Sequence, residues 1–333
     1  MTALLEIKDL HVHFPIKNGT FQKKTGEVKA LNGVDLAVNK GEILGIVGES
    51  GCGKSTLARS IVGLQKPTSG DILFNGESYT DASAKEIYEL RRNMQMVFQD
   101  PYTSLNPRMK ASESIAAPLK AYKQTKNLES RVKELMELVG LNPDMHYNRL
   151  PHEFSGGQRQ RIGIARAIAL EPKLIVCDEP VSALDVSVQA QVINLFQDLQ
   201  KKLNLTYVFI AHDLSVINHI ADRVAVMYLG KVMEKSNRET FQAHAQHPYT
   251  NALLSAVPLP DPDKERARER IVLKGELPSP ANPPSGCVFH TRCPKATDFC
   301  KTNIPLPEER GVPGQEVACF YPVGEEEKVK ITL

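Results

Sequence analysis

The sequence has almost no net charge, no long apolar run and no leader-like N-terminus. Lys and Arg number 41 against 39 Asp and Glu, leaving +2 at pH 7, which argues against a dominant electrostatic footprint for nucleic acid. The first residues, Met1 to Asp9, place Glu6 inside their only apolar patch with no basic stretch ahead of it, so no secretory signal is expected. No uninterrupted apolar run approaches the length of a membrane span. Cysteine is scarce as well: of 6, Cys52 and Cys177 stand apart, while Cys287, Cys293, Cys300 and Cys319 crowd toward the C-terminus. These absences predict a soluble cytoplasmic chain whose terminal cysteines hold metal rather than disulfides. At 333 residues there is room for a full α/β core and a smaller second unit.

What is present is organised around Gly48, Glu49, Ser50, Gly51, Cys52, Gly53, Lys54, Ser55 and Thr56, set between the apolar run Ile43 to Val47 and a helix start. A strand, a glycine-rich turn and a helix N-terminus in that order make a phosphate-binding loop. Backbone N–H groups converge on the anion, and the helix dipole favours negative charge. The glycines let the chain wrap closely, Lys54 supplies a point charge for the β- and γ-phosphates, and Ser55 offers a hydroxyl to Mg²⁺.

Taken in order, residues 3 to 14 and 30 to 38 predict a small antiparallel sheet with a turn-like stretch between, and Phe14 follows the first strand as core or as an adenine platform. Met94 to Phe98 is an apolar strand ending at Gln99. Residues 100 to 170 read as a helical insertion, with Leu128, Val132, Leu135 and Val139 at helical spacing. It closes with Phe154, then Ser155, Gly156, Gly157 and Gln158 directly before a helix, a second N-terminal anion site. Leu174 to Cys177 is apolar without alternation, as in a parallel strand buried on both faces, and it runs into Asp178 and Glu179. Thr206 to Ala211 is a similar strand ending at His212, and Arg223 to Leu229 reads as the last strand. Paired carboxylates at the end of a buried strand are costly unless a cation or a task goes with them.

The phosphate loop, Gln99, the Ser-Gly-Gly-Gln segment, the Asp178–Glu179 strand end, Ser182 to Asp185 and His212, in that order, resemble the nucleotide-binding subunits of ATP-binding-cassette transporters. The resemblance implies an α/β phosphate-loop ATPase with an antiparallel β subdomain, an inserted helical subdomain and a small Cys-rich extension. Residues 1–240 would form the ATPase domain and 241–333 the extension. It further implies that Lys54 and the loop amides hold the phosphates, and that Ser55 and Gln99 ligate Mg²⁺ with support from Asp178. Glu179 would act as general base and His212 would contact the γ-phosphate. Phe14 falls at the adenine-stacking position, which is more often Tyr, and Phe154 replaces the usual Leu. Two subunits would meet head to tail, so that Ser155, Gly156, Gly157, Gln158 and Asp185 of one complete the ATP site of the other.

Beyond residue 240, the helix opening at His247, Pro248 and Tyr249, the turn from Gly275 to Pro280, and the terminal cysteines are similar to those of dipeptide/oligopeptide importer ATPases, particularly the second of their two ATPase subunits. This implies a heterodimer with a homologous ATPase, two transmembrane permease subunits, an extracytoplasmic peptide-binding protein, and a peripheral position on the cytoplasmic face of the membrane. Importers of nickel, sugar conjugates or antimicrobial peptides share the architecture, and a soluble cassette ATPase is the reading from another class. The latter would normally carry two cassettes or a long coiled coil, and neither occurs. Four thiolates at Cys287, Cys293, Cys300 and Cys319 suit zinc or an iron–sulfur cluster, and ligand softness alone does not separate them; the resemblance implies [4Fe–4S]. Residues 258 to 285, rich in Pro and charge, read as a linker.

Overall fold

The computed structural model describes residues 3–18, 23–258 and 270–324, with the single positions 263 and 266 between. Part of the predicted linker therefore lies outside the described residues. The chain opens with two long strands, β1 (Ala3–Asn18) and β2 (Lys23–Asn39), then β3 (Ile43–Val47), the phosphate loop and helix α1 (Lys54–Ile61). Next come β4 (Ser69–Phe74), β5 (Glu77–Ser78), α2 (Ala84–Asn93) and β6 (Met94–Val97). The helical insertion follows as α3 (Ala111–Ala121), α4 (Leu128–Leu138), α5 (Pro143–His146) and α6 (Gly156–Ile168). The core resumes with β7 (Leu174–Asp178), α7 (Val186–Leu203), β8 (Thr206–Ile210), α8 (Leu214–Ile220) and β9 (Arg223–Tyr228). The remainder holds β10 (Lys231–Asn237), α9 (Arg238–Ala243), α10 (Pro248–Ala256), a short helix Asp298–Thr302, β11 (Glu308–Glu309) and β12 (Glu316–Val317).

The large sheet has the order β11-β12-β10-β9-β3-β8-β7-β6, and the five strands from β9 to β6 are parallel. Each of β3, β7 and β8 is buried at every position, which explains their unalternating sequences. One face (Leu44, Ile46, Leu174, Val176, Val208, Ile210) packs with α1 and the antiparallel sheet β2-β1-β4-β5. The other (Ile43, Val47, Ile175, Cys177, Tyr207, Phe209) packs with α7, α8 and the helical insertion. Gly45 is needed on that second face because a Cβ there would lie 2.7 Å from Ile217 Cγ2.

Two expectations change. The first hairpin is longer than the hydrophobic pattern suggested: pairing continues through Pro15↔Glu27, Ile16↔Gly26 and Lys17↔Lys24, so Phe14 lies inside β1 opposite Val28. An antiparallel ladder needs only one apolar face, and the polar stretch still pairs. Arg223–Tyr228 is also not the last strand, since the chain reverses through Leu229 (φ 46) and Gly230 (φ 75) into antiparallel β10. Positive φ at both central residues is the turn form that matches strand twist, but Leu-Gly lacks the Asn-Gly or Asp-Gly signature that would have announced it.

Through β12, which pairs with β10 at Glu234↔Val317, the C-terminal region joins the same sheet. Glu234, 1% exposed, fastens it by accepting from the backbone N–H of Gln246 (2.9 Å) and His247 (2.9 Å) and from Gln315 Nε2 (2.8 Å). His247 in turn caps α10, accepting from Tyr249 N–H, and complete burial holds its imidazole down at about 3, in the neutral form. Replacing Glu234 with Ala strands the Gln246 and His247 N–H groups and takes one of two acceptors from Gln315 Nε2, and chemical denaturation of Glu234→Ala should show a loss of about 2–3 kcal/mol.

Candidate functional site

The site forms where the parallel strands run out. The neighbouring strands β3, β8, β7 and β6 deliver, just past their C-terminal ends, the phosphate loop, His212, the Asp178–Glu179 pair and Gln99. This is the edge at which open parallel sheets bind ligands.

The loop is hemmed in by backbone. A Cβ at Gly48 would meet Met227 O at 2.2 Å, and one at Gly53 (φ +106) would meet Ala30 O at 2.4 Å. Cys52 turns into the core, and its carbonyl accepts from Gly230 N–H at 2.9 Å. Ser50 and Gly51 form the exposed crest, with Thr56 in the first turn of α1. Lys54, buried at 4% exposure, donates to Gly48 O (2.7 Å) and Glu49 O (3.1 Å) and lies 3.9 Å from Glu179 Oε1. Phe14, 38% exposed, stands on β1, whose partner β2 carries Ala30 against the loop.

Ser55 Oγ donates to Asp178 Oδ1 at 3.1 Å. Burial pushes the Asp178 carboxyl above the usual range, the Ser55 hydroxyl pulls it back, and neighbouring Glu179 pushes it up again. Glu179 adopts left-handed backbone (φ 46), a conformation costing of order 1 kcal/mol or more for a residue with a Cβ. Its N–H donates to Ile210 O at 3.0 Å. Its Oε2 accepts from Gln99 Nε2 at 3.1 Å and lies 3.3 Å from His212 Nδ1. Residues from four strand ends thus meet on one carboxylate. A cavity of about 30 Å³ beside Glu179, Ser182 and His212 has room for a water molecule.

The Ser-Gly-Gly-Gln segment sits at the start of α6. Ser155 Oγ accepts from Gln158 N–H (3.3 Å) and Gln158 Oε1 from Ser155 N–H (3.0 Å), a reciprocal cap that leaves Ser155 exposed. A Cβ on Gly157 would strike Val188 Cγ1 at 2.4 Å, so α6 rests on the start of α7 just beyond exposed Asp185. The stretch after Gln99 is tied to this helix: Arg166 Nη1 donates to Ser104 O (2.6 Å), and the Arg159 guanidinium lies 4.0 Å over the Tyr102 ring. A larger cavity, about 570 Å³, lies elsewhere, between α4 and the end of α7. Arg131 there is paired with Glu134 and Glu171, and none of the predicted residues lines it.

All four terminal cysteines are free thiols. Burial first, then the proximity of the other cysteines, pushes Cys293 up to about 11 and Cys319 up to about 12. Yet among the described residues no group of three or more His, Cys, Asp or Glu converges tightly enough to hold a single metal ion. The thiols are neighbours without forming a preassembled chelate.

Sequence reasoning missed two residues that touch the loop. Tyr249 Oη accepts from Glu49 N–H at 2.9 Å, and Arg292 Nη1 donates to Glu49 Oε2 at 2.7 Å. Tyr249 stands in the helix-opening motif, but nothing local ties it or Arg292 to the loop, since their partner lies 200 and 243 positions away.

Comparison with known proteins agrees with this geometry. A family model described as ABC transporter matches residues 31–182, and one described as oligopeptide/dipeptide transporter, C-terminal region, matches 233–300. The oligopeptide transport ATP-binding protein AppF of Bacillus subtilis is 56% identical over 95% of this chain and 97% of its own. OppF of Salmonella typhimurium is 56% identical over 92% and 93%. The chain belongs to the ATP-binding-cassette transporter family. Among solved structures, a dimeric cassette in a post-hydrolysis state with ADP and Pi superposes with a TM-score of 0.62 at 29% identity, covering 70% of this chain and 98% of that one. The fold is thus that of a cassette ATPase, and among the described residues no helix is long and apolar enough to cross a membrane.

One consequence concerns pH. A carboxyl whose folded pKa is raised opposes folding once it ionises, so Asp178 weakens the nucleotide-free cassette above its raised pKa and ceases to do so below the ordinary carboxylate value of about 3.9. Thermal melts of Asp178→Asn should show a stabilised protein at neutral pH, with the gain vanishing as the pH falls below 4.

Proposed function

We propose that this cassette is the ATP-hydrolysing subunit of a peptide importer. The Bacillus subtilis and Salmonella typhimurium transport proteins match it over more than nine-tenths of its length, C-terminal region included. In this reading it sits on the cytoplasmic face of the membrane. It pairs head to tail with a homologous ATPase subunit and drives two permease subunits fed by an extracytoplasmic peptide-binding protein. The gathering of Lys54, Gln99 and His212 around Glu179 is the observation that carries the ATPase assignment.

The phosphate loop and Lys54 bind the β- and γ-phosphates, with Phe14 under the adenine. Ser55, Gln99 and Asp178 form an oxygen-donor set of the kind Mg²⁺ takes; the ion, when bound, neutralises phosphate charge and polarises the transferred group. Glu179 orients the attacking water and accepts its proton. The Gln99 and His212 contacts orient its carboxylate, and His212 would meet the γ-phosphate. Ser155, Gly156, Gly157, Gln158 and Asp185 lie at the start of two helices, with Ser155 and Asp185 exposed, and face a nucleotide held by the partner chain. A change at Gln99 reaches α6 through Ser104–Arg166 and Tyr102–Arg159. Beside Gln99 a groove of about 260 Å³ lined by Val62, Leu64, Met96, Phe98 and Pro118, with Leu64 and Phe98 exposed, suits a permease segment.

The four cysteines fit a [4Fe–4S] cluster better than zinc. A single tetrahedral ion needs every sulfur about 2.3 Å from one point, whereas a cluster binds each thiolate at a separate iron. Four neighbouring thiols that, among the described residues, do not converge on one point suit the second case.

Two measurements test this reading. Glu179→Gln should bind ATP yet hydrolyse it about a hundredfold or more slower than wild type, and wild-type turnover in that variant rules Glu179 out as the base. Metal and sulfide analysis after anaerobic purification should find iron and sulfide near four each per chain; stoichiometric zinc without sulfide removes the cluster.

A further inference from the structure

The first two residues of the phosphate loop rest on a scaffold that the ATPase motifs do not contain. Tyr249, from α10, is fully buried and takes the Glu49 N–H at 2.9 Å. Arg292, its side chain 9% exposed, takes the Glu49 carboxylate at 2.7 Å. Behind them, Tyr228 of β9, Tyr249 and Phe289 form an aromatic tripod with centroid separations of 4.8, 5.2 and 5.3 Å. Met227, next to Tyr228, supplies the carbonyl against which Gly48 packs. On the other flank, Leu277 approaches Gly51, and Pro280 O accepts from Lys29 N–H at 3.0 Å on the strand that bears on Gly53. Tyr249 and Arg292 therefore grip the loop at its entry, and Leu277 flanks its exposed crest.

A glycine-rich loop is soft, and its amides bind phosphate only when they point inward together. A partly buried ion pair with geometry this short is among the stronger ways to fix such a segment, and breaking one side leaves the other charge without its partner. We propose that Tyr249 and Arg292 are positioning residues for nucleotide binding. The C-terminal region holds the phosphate loop in its binding form, and ATP affinity depends on that hold. The inference rests on the assignment of residues 48–56 to the phosphates. Because Arg292 immediately precedes Cys293, the turn that places this thiol also places the loop.

The test is the affinity of the full-length chain for N-methylanthraniloyl-ATP with Mg²⁺, read by fluorescence, alongside the thermal midpoint without nucleotide. Arg292→Gln should weaken binding about tenfold and Tyr249→Phe about threefold, with Arg292→Lys recovering most of the loss. The midpoint of Tyr249→Phe and Arg292→Lys should stay within about 2 °C of wild type. Glu49→Gln combined with Arg292→Gln should lose no more than Arg292→Gln alone, because the pair acts as a unit. If Arg292→Gln does not fold, Tyr249→Phe and the double variant, which leaves no unpaired charge, decide. Lys54→Ala serves as control and should abolish binding. Wild-type affinity in Tyr249→Phe and the Arg292 variants, with Lys54→Ala inactive, overturns the inference while sparing the site; wild-type affinity in Lys54→Ala overturns the site assignment and the inference with it.

Discussion

Asp178 and Glu179 stand where a strand with both faces in hydrocarbon runs out, and ionised carboxylates in that position need donors or cations within reach. Much of the surrounding structure meets that need. Ser55 comes from α1, Gln99 from the end of β6, His212 from the end of β8, and Lys54 lies across from Glu179. The parallel order β3-β8-β7-β6 brings these ends side by side. Without it, the same residues would be scattered over more than 150 positions of sequence.

The helical insertion solves a different problem. Its signature turn is satisfied by its own cap, so Ser155 remains exposed and available to a second chain. At the same time Arg159 and Arg166 tie the insertion to the segment after Gln99. The segment after the strand-end glutamine and the helix whose N-terminus carries Ser155 are therefore joined by packed contacts rather than by a flexible tether.

The central strands and the strand-end residues were legible because each carries a local signature: unbroken apolar runs for doubly buried strands, glycines for the loop, carboxylates in an improbable place. The Cys-rich region and the α10 helix with Pro248 at its first position were legible in the same way. What was not legible depends on distant partners. Leu229–Gly230 makes a turn that only the strand twist favours, and β10 followed unseen. Glu234 reads as a surface residue in a polar strand until Gln246, His247 and Gln315 close over it. Tyr249 and Arg292 acquire meaning only from Glu49. The hairpin β1–β2 outran its hydrophobic pattern because one face of it has no need to be apolar.

That the phosphate loop and the carboxylate pair form one ATP site is tested most directly by a structure of the chain with Mg²⁺ and a non-hydrolysable ATP analogue. In it, Lys54 Nζ should leave the Gly48 and Glu49 carbonyls for phosphate oxygens, and the Ser55 hydroxyl should leave Asp178 for the ion. A nucleotide bound elsewhere, with the Lys54–Gly48 and Ser55–Asp178 contacts intact, would contradict it.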